Sequence, residues 1–342
     1  MKKVKVVVTD YIEPDLEWER EQCEQLGIDF FAYQRKMAPP DEIVEIAADA
    51  DILVVNMAKI TRAVLERLPR TGLIIRHGIG YDNVDVQAAT EHNILVANIP
   101  DYCVPEVAEQ ALMLMMACQR KLSQQEKIML QSSAAGRWDF LSINPIYRLQ
   151  GKTVGIVGIG RIGSTVFKLL QGFDVKFVVA DPYISEQRQR ELSIACCSLE
   201  NVLRQADVVT IHVPLNSETY YMFDEPQFKM MKETAILINT SRGSVVNLAA
   251  LDRALRNGDL AFAGVDVYEN EPPPPDFPLL HNNKAICTPH LSWLSEESGE
   301  TIRVKIIDDI RLFLQGKSPH SPVNPEVAGI KNGFLKWDVR YD

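Results

Sequence analysis

The sequence lacks several features that would indicate a particular class of protein. It has no long run of lysine or arginine and its formal net charge is −10, so nucleic acid and anionic membranes are poor partners. The six histidines include no pair at positions i and i+4, and we predict no bound metal. We interpret the acidic excess as a source of solubility.

Cysteines and long apolar runs are also scarce. The six cysteines fit neither a disulfide scaffold nor a zinc cluster, which predicts a reduced, cytoplasmic protein. The most membrane-like stretch, 111–118, follows Glu106 and Glu109 and is typical of a buried helix. The opening residues have too short an apolar run for a signal peptide and predict a first strand instead.

What the sequence does contain is a regular alternation of strand and helix patterns along its 342 residues, a length that suits two domains. The predicted strands span 4–9, 28–33, 51–55, 73–76, 94–97, 153–157, 175–180, 207–213, 235–239, 261–267 and 285–287. Such alternation predicts an α/β protein with parallel sheets covered by helices on both faces.

Two breaks in this alternation suggest where domains meet. The polar turn at 98–101 interrupts the first series of strands, and a long helix at 295–314 is expected to return to the first domain. We therefore predict a first domain at 1–100, completed by 295–317, and a second domain at 101–294. Residues 318–342 are predicted to form a polar tail.

Residues 151–182 form a strand–turn–helix–strand unit that ends in an acid. Gly158 permits a tight turn, Gly160 allows a pyrophosphate to approach the backbone, and Gly163 lets the helix pack closely on the strand. The positive end of the helix dipole then faces the pyrophosphate. This arrangement predicts a dinucleotide site.

The acid of this unit indicates which dinucleotide is bound. Asp181 follows Gly163 by 18 residues (181 − 163), near the spacing of an acid that binds the adenosine ribose. A carboxylate there accepts hydrogen bonds from the ribose hydroxyls and repels a 2′-phosphate. The sequence therefore predicts NAD rather than NADP.

Arg242, Glu271 and His290 follow predicted strands of the second domain, where ligands of open α/β sheets bind. Histidine can give or take a proton near neutral pH, a neighbouring carboxylate favours the imidazolium, and a guanidinium binds a carboxylate. Together they suit hydride transfer between an alcohol and a carbonyl. Each also has an ordinary interpretation: a turn histidine, a surface arginine and a solvated loop acid, with Glu269 easily confused with Glu271.

Five motifs resemble the D-isomer-specific 2-hydroxyacid dehydrogenases over about residues 1–317, and they occur in family order. They are GIGYDNVD at 78–85, VGIGRIG at 157–163, NTSRG at 239–243, DVYENEP at 266–272 and TPH at 288–290. The resemblance implies two doubly wound parallel-sheet domains, a flavodoxin-like substrate domain and a Rossmann NAD-binding domain, with the cofactor in the cleft.

The resemblance also implies roles for individual residues. The catalytic set is Arg242, Glu271 and His290. The cofactor contacts are Val104, Gly158, Gly160, Arg161, Ile162, Gly163, Asp181, His212, Pro214, Thr219, Thr240 and Asp266. The substrate contacts are Gly78, Ile79, Arg242 and Trp293. A homodimer joined through the NAD-binding domain is expected, with the helix at 107–118 and the arm around Trp138 as its contact.

The segment after His290 departs from many family members, because it reads LSWLSE where small residues and glycines are common. This resembles the branch that contains the C-terminal binding protein corepressors and their bacterial relatives. Trp293 either lines the substrate pocket, where it would favour a bulky or apolar 2-oxo acid as substrate, or packs between the domains. The loop at 56–59 lacks arginine, which disfavours a phosphoglycerate dehydrogenase.

The sequence thus predicts an NAD-dependent oxidoreductase of a small D-2-hydroxy or 2-oxo acid. Two alternatives stay open: an NAD-sensing scaffold of the corepressor type, and a related enzyme of a substrate such as formate or phosphite. The substrate side chain and the physiological direction are not specified by the sequence.

Overall fold

A computed structural model describes residues 3–139 and 141–329 and divides the chain into two compact units. The first unit comprises the residues up to Tyr102 and those from Ser295 onward, and the second is Cys103–Leu294. Residues 330–342 of the predicted tail lie outside the described part of the chain.

Each unit contains one fully parallel sheet. The first unit has five strands in the order β2-β1-β3-β4-β5: β1 (Lys5–Val8), β2 (Asp29–Ala32), β3 (Ile52–Val55), β4 (Leu73–Arg76) and β5 (Leu95–Asn98). The second has six in the order β11-β10-β9-β8-β6-β7: β6 (Thr153–Val157), β7 (Lys176–Ala180), β8 (Val208–Ile211), β9 (Ile236–Asn239), β10 (Phe262–Val265) and β11 (Ala285–Cys287).

Helices connect these strands, as parallel pairing requires. The first unit contains α1–α4, α12 and α13, and the second contains α5–α11. Their bounds are α1 (Glu17–Gln25), α2 (Pro40–Ala47), α3 (Arg62–Leu65), α4 (Val86–Glu91), α5 (Val104–Gln119), α6 (Leu122–Ala134), α7 (Arg161–Leu170), α8 (Glu186–Leu192), α9 (Leu199–Gln205), α10 (Glu225–Met230), α11 (Leu248–Asn257), α12 (Glu296–Leu314) and α13 (Pro325–Gly329). No helix of the described residues has the length and apolar character needed to cross a bilayer.

Both faces of the second sheet are buried, which explains why its strands are apolar throughout. In β9, Leu237 belongs to a core with residues of α9, α10 and α11. Its neighbours Ile236 and Ile238 belong to a separate core with α5 and α7. Successive side chains of a strand point to opposite faces, so this division places a helical layer on each side of the sheet.

The start of the predicted tail is folded onto the first unit. Pro322 bridges Ala97 of β5, and the amide of Asn324, which is 1% exposed, bonds both to Val96 N and to the carbonyl of Ile94. His320 donates from its backbone to the buried carboxylate of Asp309 in α12 at 2.9 Å. These contacts are polar rather than periodic and apolar, so the sequence pattern gave no sign of them.

The predicted α/β class with two parallel-sheet domains is confirmed, and every predicted strand is present. Because parallel strands end at one edge of a sheet, the loops after β6, β7 and β8 lie together on one half of the second unit. The loops after β9, β10 and β11 lie side by side on the other half.

Candidate active site

The glycine-rich turn after β6 has the geometry that a pyrophosphate site needs. Gly158 has φ +86°, and a Cβ there would lie 2.6 Å from the carbonyl oxygen of His212. A Cβ on Gly163 would lie 2.1 Å from the carbonyl oxygen of Gly158, so α7 packs on the turn only because this residue is glycine. A Cβ on Gly160 would meet no heavy atom within 4 Å.

The amino end of α7 is suited to bind an anion. Its N-cap is Gly160, no side chain caps it, and Arg161 and Ile162 form its first turn. The first N–H groups of a helix have no intrahelical acceptor and carry the positive end of the dipole. The predicted pyrophosphate therefore fits the residues that are present.

Asp181 lies beside this turn, as its position after β7 predicts. Its Oδ2 accepts a hydrogen bond from Ile159 N at 2.9 Å, and its Oδ1 accepts one from Tyr183 N at 2.9 Å. Each carboxylate oxygen has a second lone pair, so Asp181 can still accept from ribose hydroxyls. The two backbone bonds fix its orientation.

Two buried polar atoms at the ends of β8 and β9 have no hydrogen-bond partner in the described part of the chain. They are Nδ1 of His212 and Oγ1 of Thr240. Burial lowers the pKa of His212 to about 3, so the ring is neutral, and its Nε2 lies 2.9 Å from Thr210 Oγ1. Unpaired buried polar atoms are costly, and they mark positions where a bound molecule can complete the bonding.

The other predicted cofactor contacts have more varied surroundings. The hydroxyl of Thr219 donates to Pro214 O at 2.6 Å and accepts from Asn216 N at 2.9 Å, so it holds the loop after β8 together. Val104 is the first residue of α5. Asp266 is fully buried, and its carboxylate accepts hydrogen bonds from the loop that carries His290.

Glu271 and His290 form a pair at the ends of the neighbouring strands β10 and β11. Nδ1 of His290 lies 2.7 Å from Oε2 of Glu271, and Oε1 of Glu271 accepts from Tyr268 N at 3.0 Å. Burial by itself would raise the pKa of Glu271. The hydrogen bond and charge of His290, the Tyr268 N–H and the charge of Arg242 outweigh burial and hold that pKa below its ordinary value.

The pairing separates Glu271 from its neighbour in sequence. Oε1 of Glu269 accepts from Leu248 N at 3.0 Å, at the start of α11. Of the two acids, Glu271 is the one that bonds His290. The side chains of His290 and Glu271 are 32% and 26% exposed, so the pair is reachable from solvent without being freely hydrated.

Arg242 stands at the end of β9, next to this pair. Asn239 holds the turn by donating from Nδ2 to the carbonyl of Arg242 at 2.9 Å, and Arg242 donates from Nη1 to Ser241 O at 2.9 Å. Gly243 brings the turn close to β10, because a Cβ there would lie 2.0 Å from the carbonyl carbon of Tyr268. The charge of Arg242 is one of the influences that lower the pKa of Glu271.

The predicted substrate contacts are divided between the units. Trp293 is partly buried, three residues after His290 in the second unit. Gly78 and Ile79 follow β4 in the first unit. The N–H of Gly78 donates to Arg76 O at 2.8 Å, and the carbonyl of Ile79 accepts from Asn98 Nδ2 at 2.6 Å. The N–H of Gly78, a predicted substrate contact, is thus bonded within its own loop.

Two residues to which the sequence analysis gave no individual role belong to the His290 loop. The hydroxyls of Thr288 and Ser292 both bond the carboxylate of Asp266. Both hydroxyl residues lie two positions from His290, and this spacing could have suggested from the sequence that they support its loop. No group of three histidine, cysteine or acidic side chains suited to a metal occurs among the described residues.

Comparison with known proteins gives three kinds of similarity. The family model described as "D-isomer specific 2-hydroxyacid dehydrogenase, NAD binding domain" matches residues 112–292. A glyoxylate reductase of Korarchaeum cryptofilum (strain OPF8) is 36% identical over 301 residues, which cover 86% of this chain and 89% of that protein.

Solved structures resemble the fold of the whole chain. The D-lactate dehydrogenase from Aquifex aeolicus, complexed with NAD and lactic acid, is 26% identical with a TM-score of 0.83, over 93% of this chain and 98% of that one. The NADPH-dependent glyoxylate/hydroxypyruvate reductase from Sinorhizobium meliloti, in complex with NADP and malonate, is 27% identical with a TM-score of 0.83. The match covers 94% of this chain and 97% of that one.

Proposed function

The chain belongs to the D-isomer specific 2-hydroxyacid dehydrogenase family and is an NAD-dependent oxidoreductase of 2-hydroxy and 2-oxo acids, and we propose that His290, Glu271 and Arg242 carry its chemistry. The observation that supports this assignment most directly is the 2.7 Å approach of His290 Nδ1 to Glu271 Oε2, beside the charge of Arg242. Neither an isolated turn histidine nor a solvated acid would have this geometry.

The pair determines which ring nitrogen exchanges a proton. An ionised carboxylate only accepts hydrogen bonds, so Nδ1 of His290 carries a hydrogen and Nε2 is left for the substrate. A nicotinamide dinucleotide held by the loops after β6, β7 and β8 would supply the hydride that the carbonyl carbon of a 2-oxo acid accepts. As the alkoxide develops, Nε2 of the imidazolium gives it a proton, and in the reverse direction the neutral Nε2 takes the hydroxyl proton.

Arg242 is proposed to bind the substrate carboxylate. A guanidinium can form two parallel hydrogen bonds to a carboxylate, which fixes the orientation of the adjacent carbonyl. The hydrogen bond from Asn239 and the close approach of Gly243 to Tyr268 fix the turn that carries Arg242, which supports this role. Gly78, Ile79 and Trp293 are proposed as further substrate contacts.

The cofactor is proposed to lie along the loops after β6, β7 and β8. The amino end of α7 would hold the pyrophosphate, Asp181 the adenosine ribose, and His212 and Thr240 the part nearer to the catalytic pair. The remaining predicted contacts, Asp266 excepted, lie on the same loops or at the start of α5.

A second copy of the chain is the proposed macromolecular partner. Much of α5 is buried within its own unit, which leaves α6 and the arm around Trp138 as the better candidate contact. Ser132 is the only residue of α6 that is buried, whereas Leu130 and Trp138 are 74% and 72% exposed. We also propose a cytoplasmic location, which the six free cysteines support.

The substrate assignment is tested by following NADH oxidation with a panel of 2-oxo acids. Glyoxylate, hydroxypyruvate, pyruvate and bulkier aromatic acids are chosen because the related enzymes act on the smaller ones and Trp293 favours the larger. We expect reduction of at least one acid, with the D enantiomer formed wherever the product is chiral. An L product, or no turnover of any 2-oxo acid while formate or phosphite is oxidised, would contradict the proposal.

A further inference from the structure

The loop after β4 carries the predicted substrate contacts Gly78 and Ile79, and its carbonyl groups are already bonded. The carbonyls of Gly78 and Ile79 accept from Ile99 N at 3.0 Å and from Asn98 Nδ2 at 2.6 Å. By contrast, the N–H groups of Ile79 and Gly80 donate to no acceptor among the described residues. These two N–H groups are therefore available to a substrate carboxylate.

His77 stands at the start of this loop and has its ring inside the first unit. Its side chain is 8% exposed, its N–H donates to Val55 O of β3 at 2.8 Å, and its carbonyl accepts from Arg76 Nη1 at 2.6 Å. A side chain that is held at its far end restrains its own Cα–Cβ bond. The orientation of the His77 ring therefore affects the peptide from which the loop begins.

Packing alone does not hold this ring, because a cavity lies beside it. Three isoleucines of α12 and an ion pair are among the side chains that line the cavity with His77: Ile306, Ile307, Ile310, Glu19 and Arg303. Glu19 accepts from Arg303 Nη2 at 2.7 Å and is engaged with that guanidinium. A group that faces a void lacks the contacts that would otherwise fix it, so the His77 ring needs a polar partner.

Glu13, in the loop after β1, is that partner. Its Oε1 lies 3.2 Å from Nε2 of His77, and its Oε2 accepts from Ile12 N at 3.0 Å, so the carboxylate is itself fixed. Burial lowers the pKa of His77, and the charge of Glu13 opposes this only in part, so the ring is neutral at neutral pH. A neutral ring beside a carboxylate carries its hydrogen on the facing nitrogen, here Nε2.

We propose that Glu13 is a positioning residue, which holds the ring of His77 and thereby keeps the N–H groups of Ile79 and Gly80 aligned for the carboxylate of the 2-oxo acid. This inference rests on the proposed function, in which the loop after β4 contacts the substrate. In this role Glu13 touches neither substrate nor cofactor and acts through His77.

Two substitutions of Glu13 separate its hydrogen bond from its size. Glu13→Gln keeps a hydrogen bond to His77, because an amide can accept from one tautomer of a neutral imidazole or donate to the other. Glu13→Met has a similar length and no such group. We expect KM for the preferred 2-oxo acid to rise about tenfold in the methionine variant and to stay within about twofold of wild type in the glutamine variant; tenfold corresponds to about 1.4 kcal/mol. The kcat should change by less than about threefold in both, because the loop binds the carboxylate alike before and during hydride transfer.

A double-mutant cycle tests whether Glu13 acts through His77. His77→Leu removes the ring and should itself raise KM, and adding Glu13→Met should then change KM no further. Additive effects of the two substitutions on KM, an unchanged KM in His77→Leu, or a glutamine variant as impaired as the methionine variant would overturn the positioning role.

Asp51→Asn controls for general damage. Asp51 is a buried acid of the same unit, and it accepts from Lys5 N at 2.8 Å. It directly precedes β3, at the opposite end of the parallel strands from the loop after β4. Its substitution should lower the thermal midpoint and leave KM unchanged. If KM rises there as much as in Glu13→Met, the effect reports general damage and the positioning role fails.

One measurement does not depend on turnover. In protein labelled with ¹⁵N-histidine, the His77 ring resonances, identified by their loss in His77→Leu, should move in Glu13→Met. Those of His290, identified by their loss in His290→Ala, should stay. Unmoved His77 resonances would overturn the pairing. If they move as expected but Arg242→Ala keeps the wild-type KM for every 2-oxo acid, the proposed function fails while the pair of Glu13 and His77 stands.

Discussion

Two histidines of the second unit differ because of what surrounds them. Nδ1 of His290 lies 2.7 Å from the carboxylate of Glu271, which orients its ring. His212 is surrounded by neutral groups, and burial lowers its pKa to about 3. The His212 ring is therefore neutral at neutral pH.

The low pKa of His212 predicts a loss of stability in acid. In the unfolded chain its pKa is near the ordinary 6.5, so between pH 6.5 and about 3 the unfolded state binds the additional proton. Stability therefore falls as pH falls through this window. His212→Gln lacks this contribution. Between pH 7 and pH 4, the free energy of unfolding measured with urea should therefore fall more for wild type than for the variant. A difference between them that stays constant would refute the neutral assignment.

Asp181 should determine the choice of dinucleotide. In Asp181→Ala the ratio of kcat/KM for NADH over NADPH should fall by about tenfold or more, because like charges about 4 Å apart repel by about 1–4 kcal/mol in protein–solvent surroundings. Asp174→Ala removes the same charge just before β7, at the opposite end of the strand, and serves as the control. If both variants keep the wild-type ratio, the ribose is recognised elsewhere.

At the scale of secondary structure, the turns after β9 and β10 must touch for the site to form. Gly243 permits this contact, since a Cβ there would lie 2.0 Å from the carbonyl carbon of Tyr268. Arg242 precedes this glycine, and Glu271 follows Tyr268 by three residues. The spacing of Arg242 and Glu271 therefore depends on how closely the backbones of the two turns pack.

Gly243→Ala should consequently weaken both the fold and the activity. We expect a loss of about 1–3 kcal/mol in the free energy of unfolding, the usual effect of overpacking, together with a higher KM for the 2-oxo acid. Gly172→Ala, where a Cβ meets nothing within 4 Å, should change stability by no more than about 0.5 kcal/mol. Urea denaturation and steady-state kinetics measure the two effects, and equal behaviour of the two variants would contradict the packing role.

The elements that could be predicted are those with buried, apolar patterns. Strands of parallel sheets are apolar on both faces, and the bounds of β4 and β11 were predicted to the residue. The helices α8 and α10 were not predicted, because α8 buries no residue and α10 buries Phe228 alone. The fold of 318–329 was missed for a similar reason, since Asn324 and His320 anchor it by polar bonds.

At the scale of the whole molecule, the residues proposed to react could be predicted from their positions at the ends of strands, whereas the residues that support them could not. Arg242, Glu271 and His290 end neighbouring strands, and sheet topology brings neighbouring ends together. The hydroxyls of Thr288 and Ser292 bond Asp266 on either side of His290, whose backbone is left-handed. No sequence pattern specifies that conformation for a histidine. The family resemblance had already indicated Glu271 rather than Glu269 as the partner of His290, whereas their 2.7 Å contact needed coordinates.

The exposed apolar surface of α6 and the Trp138 arm predicts a dimer. Wild-type protein should sediment at twice the chain mass of 38.5 kDa. The double variant Leu130→Glu/Trp138→Glu should sediment as a single chain, because burying charged side chains in an apolar contact is costly. Leu169→Glu, at an exposed leucine of α7 in the same unit, should leave the mass unchanged. A dimer that survives the double variant would mean that copies associate through another surface.

The kcat/KM of His290→Ala for reduction of the preferred 2-oxo acid tests the central role of His290 most directly. The variant should be slower than wild type by about 10²–10⁴-fold, because general acid catalysis contributes that much. A His290→Ala enzyme with the wild-type kcat/KM would contradict the assignment of His290 as the proton donor.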